Sequence, residues 1–486
     1  MNTLFRLFTA FVCALVVAVR LETSADRERS PDEKPGRQRY FAHFPNYILP
    51  LYLGMLLPLA LLMPSERAEK IALTMCVGVF LHITVYYVIL ALALPLLRRS
   101  LSARVCATLW LLPNYLYVAY NAGMAPRVPR WAIPVSGDVV KVLALVWGAG
   151  FLAVLGWKTV GHFSFRSRIL EEAWEEQEPE TLRLWNAELE RAGYAPGKYK
   201  LVRSSAVQTP LTIGFFKFSI RVVLPERAYT PEELRLIFRH ELVHIGREDA
   251  ATKFFLVFCT AMCWFNPLMW WAVGRSSDDL ELSCDETVLL DAEEPTRRQY
   301  ADLLLRTAGD ERGYTSCLSA SARALRYRLG RVMQPGKRIV GGLVAGAVFM
   351  ALFLTSGYVA LAFDRGSGAQ VIFNGEPESY TRVEYAANRG GKGNYSNLYD
   401  LYNVTDEQAL KDYLSALTLC DVGEHYDFSY SENVLDLRYE GPGGKFTLTL
   451  SDHVIHGRFP GQDRYRDYFV EDEIDWTYLK SLLVSA

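Results

Sequence analysis

Thr230-Pro-Glu-Glu-Leu-Arg-Leu-Ile-Phe-Arg-His240-Glu-Leu-Val-His244 is the stretch on which the reading of this chain turns. Thr230 suits an N-cap, Pro231 the first helical position, and Glu233 falls three residues after the cap, so a helix is expected to start here. On that helix His240 and His244 project from one face about one turn apart. Both imidazoles can reach one metal ion, and Glu241 between them can meet a metal-bound water. With eight histidines in 486 residues, this spacing arises by chance only about 0.01 times per chain. Two unrelated surface histidines are the weaker reading.

Working outward, a catalytic zinc takes three protein ligands and keeps one position open. The next histidine, His425, lies beyond the last apolar segment, so the third ligand is expected to be a carboxylate. The run Asp278-Asp279-Leu280-Glu281-Leu282-Ser283-Cys284-Asp285-Glu286 offers several. Glu281 and Asp285 share a helix face: one can bind metal while the other accepts a hydrogen bond from a ligand histidine. Alone, such a run reads more readily as a solvated helix face. Cys284 reads as a small buried side chain. Between the two pieces, Ala250–Val273 is apolar enough to cross a membrane. A single crossing would separate Glu281 from His240. The segment is therefore expected to be re-entrant, interfacial or folded into a buried helix pair broken at Asn266-Pro267, with Cys259 and Cys263 serving packing.

The chain is 50% apolar and 22% charged, with net charge −2. Near-neutrality gives no support for direct nucleic-acid binding. Eight cysteines without CxxC spacing exclude cysteine zinc fingers and disulfide-dense scaffolds. Apolar runs near the length needed to span a bilayer occur at Thr3–Val19, Phe44–Met63, Ile71–Leu97, Val105–Met124, Val139–Trp157 and Ile339–Phe363. The first lacks a clear positive n-region and cleavage site, which favours a retained helix over a signal segment. Arg20, Arg27, Arg29, Lys34, Arg37 and Arg39, then Arg98, Arg99 and Arg104, mark cytoplasmic loops. Six crossings then place residues 158–338 in the cytoplasm and 364–486 outside.

The passages Leu224-Pro225, His240-Glu-Leu-Val-His244-Ile-Gly-Arg247-Glu-Asp249, Trp264-Phe265-Asn266-Pro267-Leu268 and Asp279-Leu280-Glu281-Leu282-Ser283-Cys284-Asp285 together resemble the antirepressor zinc metallopeptidases, which comprise beta-lactam sensor-transducers and methicillin-resistance regulators. The similarity covers roughly residues 70–363. It implies a polytopic α-helical membrane protein with a cytoplasmic, zincin-like, glutamate-liganded metallopeptidase domain. It implies one Zn2+ per chain on His240, His244 and Glu281, with Asp285 at the helper position. It also implies self-cleavage near the last membrane helix and loss of a DNA-bound repressor. The basic linker Arg323–Arg338 is the expected place of self-cleavage.

Five regions are expected: 1–70, membrane segments and a basic linker; 71–157, core membrane helices; 158–338, the peptidase domain containing segment 250–273; 339–363, a membrane helix; and 364–486, a small extracellular α+β sensor domain. In the last, Val404–Leu419 reads as a helix capped by Thr405, and Asn433–Tyr439 and Lys445–Leu450 as strands about Gly441-Pro442-Gly443-Gly444. Ile474–Leu483 reads as a closing helix, Arg389–Asn394 as a flexible loop, and His453 and His456 as unlikely metal ligands. Only 123 residues follow Phe363, with no Ser-x-x-Lys, so acylation by a beta-lactam is not supported.

The function expected is that of a cell-membrane zinc endopeptidase that converts an external signal into cytoplasmic cleavage. Glu241 would act as general base, and a Tyr or Arg, with Arg247 a weak candidate, would stabilise the oxyanion. Its partners would be the bilayer, an external ligand, a cytoplasmic protein substrate such as a repressor, and further copies of itself if it oligomerises. The competing readings are a constitutive quality-control or processing protease and a non-catalytic receptor with structural zinc.

Overall fold

The computed structural model describes residues 2–29, 49–55, 66–117, 131–135, 137–215, 217–307, 322–334, 339–383, 386–388, 400–422, 433–442, 444–462 and 464–485. Most of the basic linker 20–40, the glycine-rich stretch 389–394 and residues 118–124 of the run Val105–Met124 lie outside them. So does most of Phe44–Met63, of which 49–55 is helical.

The first third is helical: α1 (Asn2–Arg29), α2 (Glu66–Ser100), α3 (Ala103–Leu109) and α4 (Gly137–Glu171), with strand β1 (Trp131–Pro134) before α4. Within them Leu4–Ala25, Ala72–Ser100 and Val139–Glu171 are long and apolar enough to cross a membrane. Val105–Met124 does not form one spanning helix. Helix α3 has seven residues, and Pro113 sits in a 3-10 turn at Leu112–Tyr115 that could not continue it.

Ile339–Phe363 is corrected as well. Helix α11 (Gly342–Thr355) has 14 residues, and Gly357 at φ +84° turns the chain into strand β6 (Val359–Ala362). Strand β6 pairs in parallel with β1, so the apolar character of its residues is that of a buried strand. Helix α1 lies antiparallel on α11 and closes both its ends. Arg6 donates to the carbonyls of Phe353 (2.9 Å) and Ser356 (2.6 Å), and Glu22 accepts from Gly342 N (2.9 Å). A Cβ on Gly346 would stand 2.6 Å from the Ala14 carbonyl, so only glycine permits this approach.

The middle unit contains β2 (Ala173–Glu175), α5 (Pro179–Arg191), β3 (Lys200–Ser204), β4 (Leu211–Ile213), β5 (Arg221–Pro225), α6 (Pro231–Gly246), α7 (Asp249–Met262), α8 (Pro267–Val288), α9 (Glu294–Thr307) and α10 (Ala322–Met333). The sheet order is β2-β3-β5-β4, with β3 and β5 parallel and β4 antiparallel at the edge. Strands β4 and β5 fold back on each other after Gly214, where φ is +113° and a Cβ would lie 2.4 Å from the Ser219 carbonyl. Trp185, Val222, Leu224, Phe238 and Leu304 close the core between sheet and helices. Of the arrangements considered for Ala250–Val273, the structure adopts the buried helix pair. Helices α7 and α8 meet at Asn266-Pro267, where the Asn266 side chain accepts from Leu268 N (3.0 Å). Phe255, Cys259, Met262 and Cys263 join the core of the membrane helices.

The C-terminal domain is α+β, built on β7 (Asp364–Ser367), α12 (Gly368–Phe373), β8 (Thr381–Arg382), β9 (Ala386–Asn388), β10 (Asp400–Val404), α13 (Glu407–Ala416), β11 (Thr418–Asp421), β12 (Val434–Gly441), β13 (Gly444–Ser451), β14 (Val454–Gly457), β15 (Arg466–Val470), α14 (Trp476–Ser481) and β16 (Leu483–Ser485). The hairpin β12–β13 falls where the glycine-rich turn placed it. The expected helix Val404–Leu419 is shorter at both ends: Asp406, not Thr405, accepts from Ala409 N (2.9 Å), and Thr418–Asp421 pairs with β7 and β15. The closing helix also stops early, because Leu483–Ser485 pairs with β10. This domain is held on α2 by a buried ion pair, Lys70 to Asp421 (2.8 Å).

Candidate metal centre

Helix α6 begins as its sequence dictates: Thr230 and Glu233 form a reciprocal capping box, and Pro231 occupies the first turn. One face buries against α5 and the sheet; the other carries His240 and His244 toward α8, which brings Glu281. His240 Nε2 and His244 Nε2 are 3.1 Å apart, and Glu281 Oε2 lies 3.5 and 3.6 Å from them. Ligands at 2.0–2.2 Å from a tetrahedral zinc stand about 3.3–3.5 Å from one another, so this triad fits zinc without rearrangement. All three expected ligands are brought together.

The polar surroundings fit a cation too. His244 Nδ1 donates to Asp249 Oδ2 (2.6 Å). The Tyr300 hydroxyl donates to Asp285 Oδ1 (2.7 Å), leaving its oxygen to accept from His240 Nδ1 (2.9 Å). Both imidazoles thus turn Nε2 inward, where only a cation or a shared proton lets them sit so close. Glu281 completes the argument: both carboxylate oxygens are buried and have no hydrogen-bond partner among the described residues. A buried carboxylate left in that condition is costly.

Burial works against charge on His244, yet Cys284, Glu281 and Asp249 hold its pKa well above the ordinary histidine value. Burial likewise opposes ionisation of Glu281, but His244, His240 and Lys253 outweigh it and hold the carboxyl well below the usual range. Burial and then Asp285 push the Tyr300 phenol well above its ordinary value, so it stays a protonated donor. Burial also raises Cys284, whose thiol lies 3.5 Å from His244 Nδ1, on the side of the ring away from the triad.

Glu241 is 1% exposed and accepts from the Thr212 hydroxyl (2.7 Å), on edge strand β4. Asp285 stands 3.5 Å from His240 Nδ1 and, in place of the expected direct hydrogen bond, reaches it through the Tyr300 hydroxyl. Asp285 is in turn clasped by Arg328 of α10 (2.6 and 2.7 Å). The linker Arg323–Arg338 is therefore helical through Met333 and carries part of the site, with Arg328 1% exposed. Residues 335–338 lie outside the described residues. Arg247, weighed as an oxyanion partner, instead donates to Ser283 Oγ (2.8 Å) and Thr287 Oγ1 (2.6 Å), tying α6 to α8.

Asp279 ties α8 to the membrane helices, accepting from Arg98 of α2 (2.7 Å) and Trp110 Nε1 (3.0 Å). In the C-terminal domain His456 pairs with Asp467 (2.5 Å). Among the described residues, the groups able to hold a metal all include His244.

Comparison with known proteins gives two findings. The family model described as BlaR1 peptidase M56 matches residues 88–331. A curated relative, Regulatory protein BlaR1 of Bacillus licheniformis, is 28% identical over 131 residues, which are 27% of this chain. That match spans only 22% of the relative's own length.

Proposed function

Since the chain belongs to the M56 family of BlaR1-type peptidases, and is thus a membrane protein with a metallopeptidase domain, we propose that it is a zinc endopeptidase acting as a sensor-transducer. His240, His244 and Glu281 are its metal ligands, Glu241 its general base, and Asp285 a positioning carboxylate. The convergence of two inward Nε2 atoms and a buried Glu281 carboxylate that accepts no hydrogen bond among the described residues supports this most strongly.

When bound, zinc supplies Lewis acidity toward the scissile carbonyl and lowers the pKa of a water to about 7. Glu241, oriented by Thr212, takes a proton and delivers it to the leaving amine. Strand β4 is paired on one side only among the described residues. An extended peptide added along its free edge would pass beside Thr212 and Glu241. Tyr300 and Asp249 fix the ring orientations of the two histidines.

In this reading residues 158–338 face the cytoplasm, residues 364–486 face outside, and the substrate is the chain itself, a cytoplasmic repressor-like regulator, or both. Cleavage within α10 would require that helix to open and Arg328 to leave Asp285. The Lys70–Asp421 pair at one end of α2 and the Arg98–Asp279 pair at the other favour signal transduction over constitutive processing.

The test is fragment formation by purified full-length protein in bilayers, wild type against Glu241→Gln. Cleavage that depends on Glu241 supports the reading; equal fragment release by both proteins refutes self-cleavage.

A further inference from the structure

The turn that joins β4 to β5 presents aromatic rings beside the metal centre. Phe215 is 40% exposed and Phe218 is 87% exposed, while Phe254 in the second turn of α7 is 38% exposed. Phe215 meets Phe254 edge-on, with ring centroids 5.3 Å apart. Nothing in the packing of a water-bathed domain requires this concentration of exposed aromatics.

The depth of these rings can be read from α4, the most lipid-exposed of the candidate spans. Helix α7 runs antiparallel to it: Trp147 donates to the Met262 carbonyl (2.8 Å), and Phe151 packs on Phe258 (5.8 Å). A step of four residues up α4 matches four down α7, so Phe254 is level with Leu155. Leu155 lies three residues, or about 4.5 Å of helix rise, inside Lys158, the first charged residue after the apolar run. At that level Trp157 is 58% exposed and the Lys158 ammonium lies over its ring (4.7 Å). An exposed aromatic next to a cation at the end of an apolar span is the pattern of a membrane–water boundary. The opposite end of the sheet is fixed well past that boundary, because Ser204 donates to the Ile169 carbonyl near the end of α4 (3.0 Å), and Ser204 pairs with Pro225. The sheet thus presents the start of β5, and the turn before it, to the bilayer.

We propose that Phe215 and Phe218, between β4 and β5 and backed by Phe254, are a lipid anchor that inserts into the headgroup boundary at the Lys158 end of α4. The partner is the lipid surface itself. Thr212, two residues before the turn, holds Glu241, so the anchor fixes the edge strand and the metal centre at the bilayer surface.

The test is a nitroxide spin label on Phe218→Cys in full-length protein in lipid nanodiscs, with a second on Glu226→Cys at the far, exposed end of β5. Wild type is labelled in parallel to subtract the native cysteines, which among the described residues are buried or half-buried. We expect oxygen to relax the label at position 218 several-fold more effectively than a water-soluble nickel chelate, and the order to reverse at position 226. A nickel-dominated label at 218 would place the turn in water and overturn the proposal. A label shielded from both reagents would mean that protein covers the turn, which overturns it equally. Neither readout depends on peptidase activity.

Discussion

Removing the Arg328 side chain tests whether the linker helix is part of the metal centre. Arg328 is 1% exposed, and its guanidinium meets Asp285 through two hydrogen bonds of 2.6 and 2.7 Å. In Arg328→Leu, Asp285 keeps the Tyr300 hydroxyl (2.7 Å) and, farther off, His240 Nδ1 (3.5 Å), but no cation of fixed charge, to balance a buried negative charge. Breaking a buried pair in this way costs about 3–5 kcal/mol. The damage extends to the metal, because Tyr300 orients His240. Loss of such an outer partner weakens metal binding about 10–100-fold. The assay has two parts: thermal unfolding in detergent followed by intrinsic tryptophan fluorescence, and zinc affinity by chelator competition. Arg328→Lys keeps charge but not the two-pronged geometry and should fall between. The double variant Arg328→Leu/Asp285→Leu should be more stable than the two single losses added together, by about 0.5–3 kcal/mol. Wild-type stability and zinc affinity in Arg328→Leu would refute the reasoning.

Other outcomes follow from single contacts. Asp249→Asn removes the carboxylate that receives His244 Nδ1 (2.6 Å); zinc affinity should drop about 10–100-fold in the same competition assay. Lys70→Ala removes the buried ammonium that meets Asp421 at 2.8 Å, so limited proteolysis should cut faster near Asp364–Ser367 while zinc content stays unchanged. Gly346→Leu drives a Cβ against the Ala14 carbonyl and should separate α1 from α11, costing about 1–3 kcal/mol in thermal stability.

The two histidines were legible because their spacing is local, His240 and His244 sharing a helix face; the acidic run of α8 offered several carboxylates, and it is the family resemblance that implies Glu281. The residues that orient the triad were not legible, because their contacts are long-range. Tyr300 lies 60 residues from His240 and Arg328 lies 43 from Asp285, and no periodicity marks either. Asp249 stands within the motif, but nothing in the local sequence marks it as a partner of His244. Its role depends on Glu248, whose φ of +51° ends α6 and turns Asp249 back toward His244. Periodicity also misjudged Ile339–Phe363: an apolar run cannot by itself distinguish one long helix from a 14-residue helix followed by a buried strand. The same ambiguity affected Val105–Met124, where Pro113 was the overlooked signal. In the C-terminal domain, caps and strand ends shifted by a few residues because pairing with distant strands, not local propensity, sets them.

The central claim is that His240, His244 and Glu281 form one zinc site. Metal analysis of purified full-length protein, wild type beside Glu281→Ala and Glu241→Gln, tests it most directly. The account predicts one zinc per chain in wild type and Glu241→Gln, and its loss or marked weakening in Glu281→Ala, with thermal unfolding confirming that the variant remains folded. Wild type without zinc, or Glu281→Ala holding zinc as tightly as wild type, would contradict it.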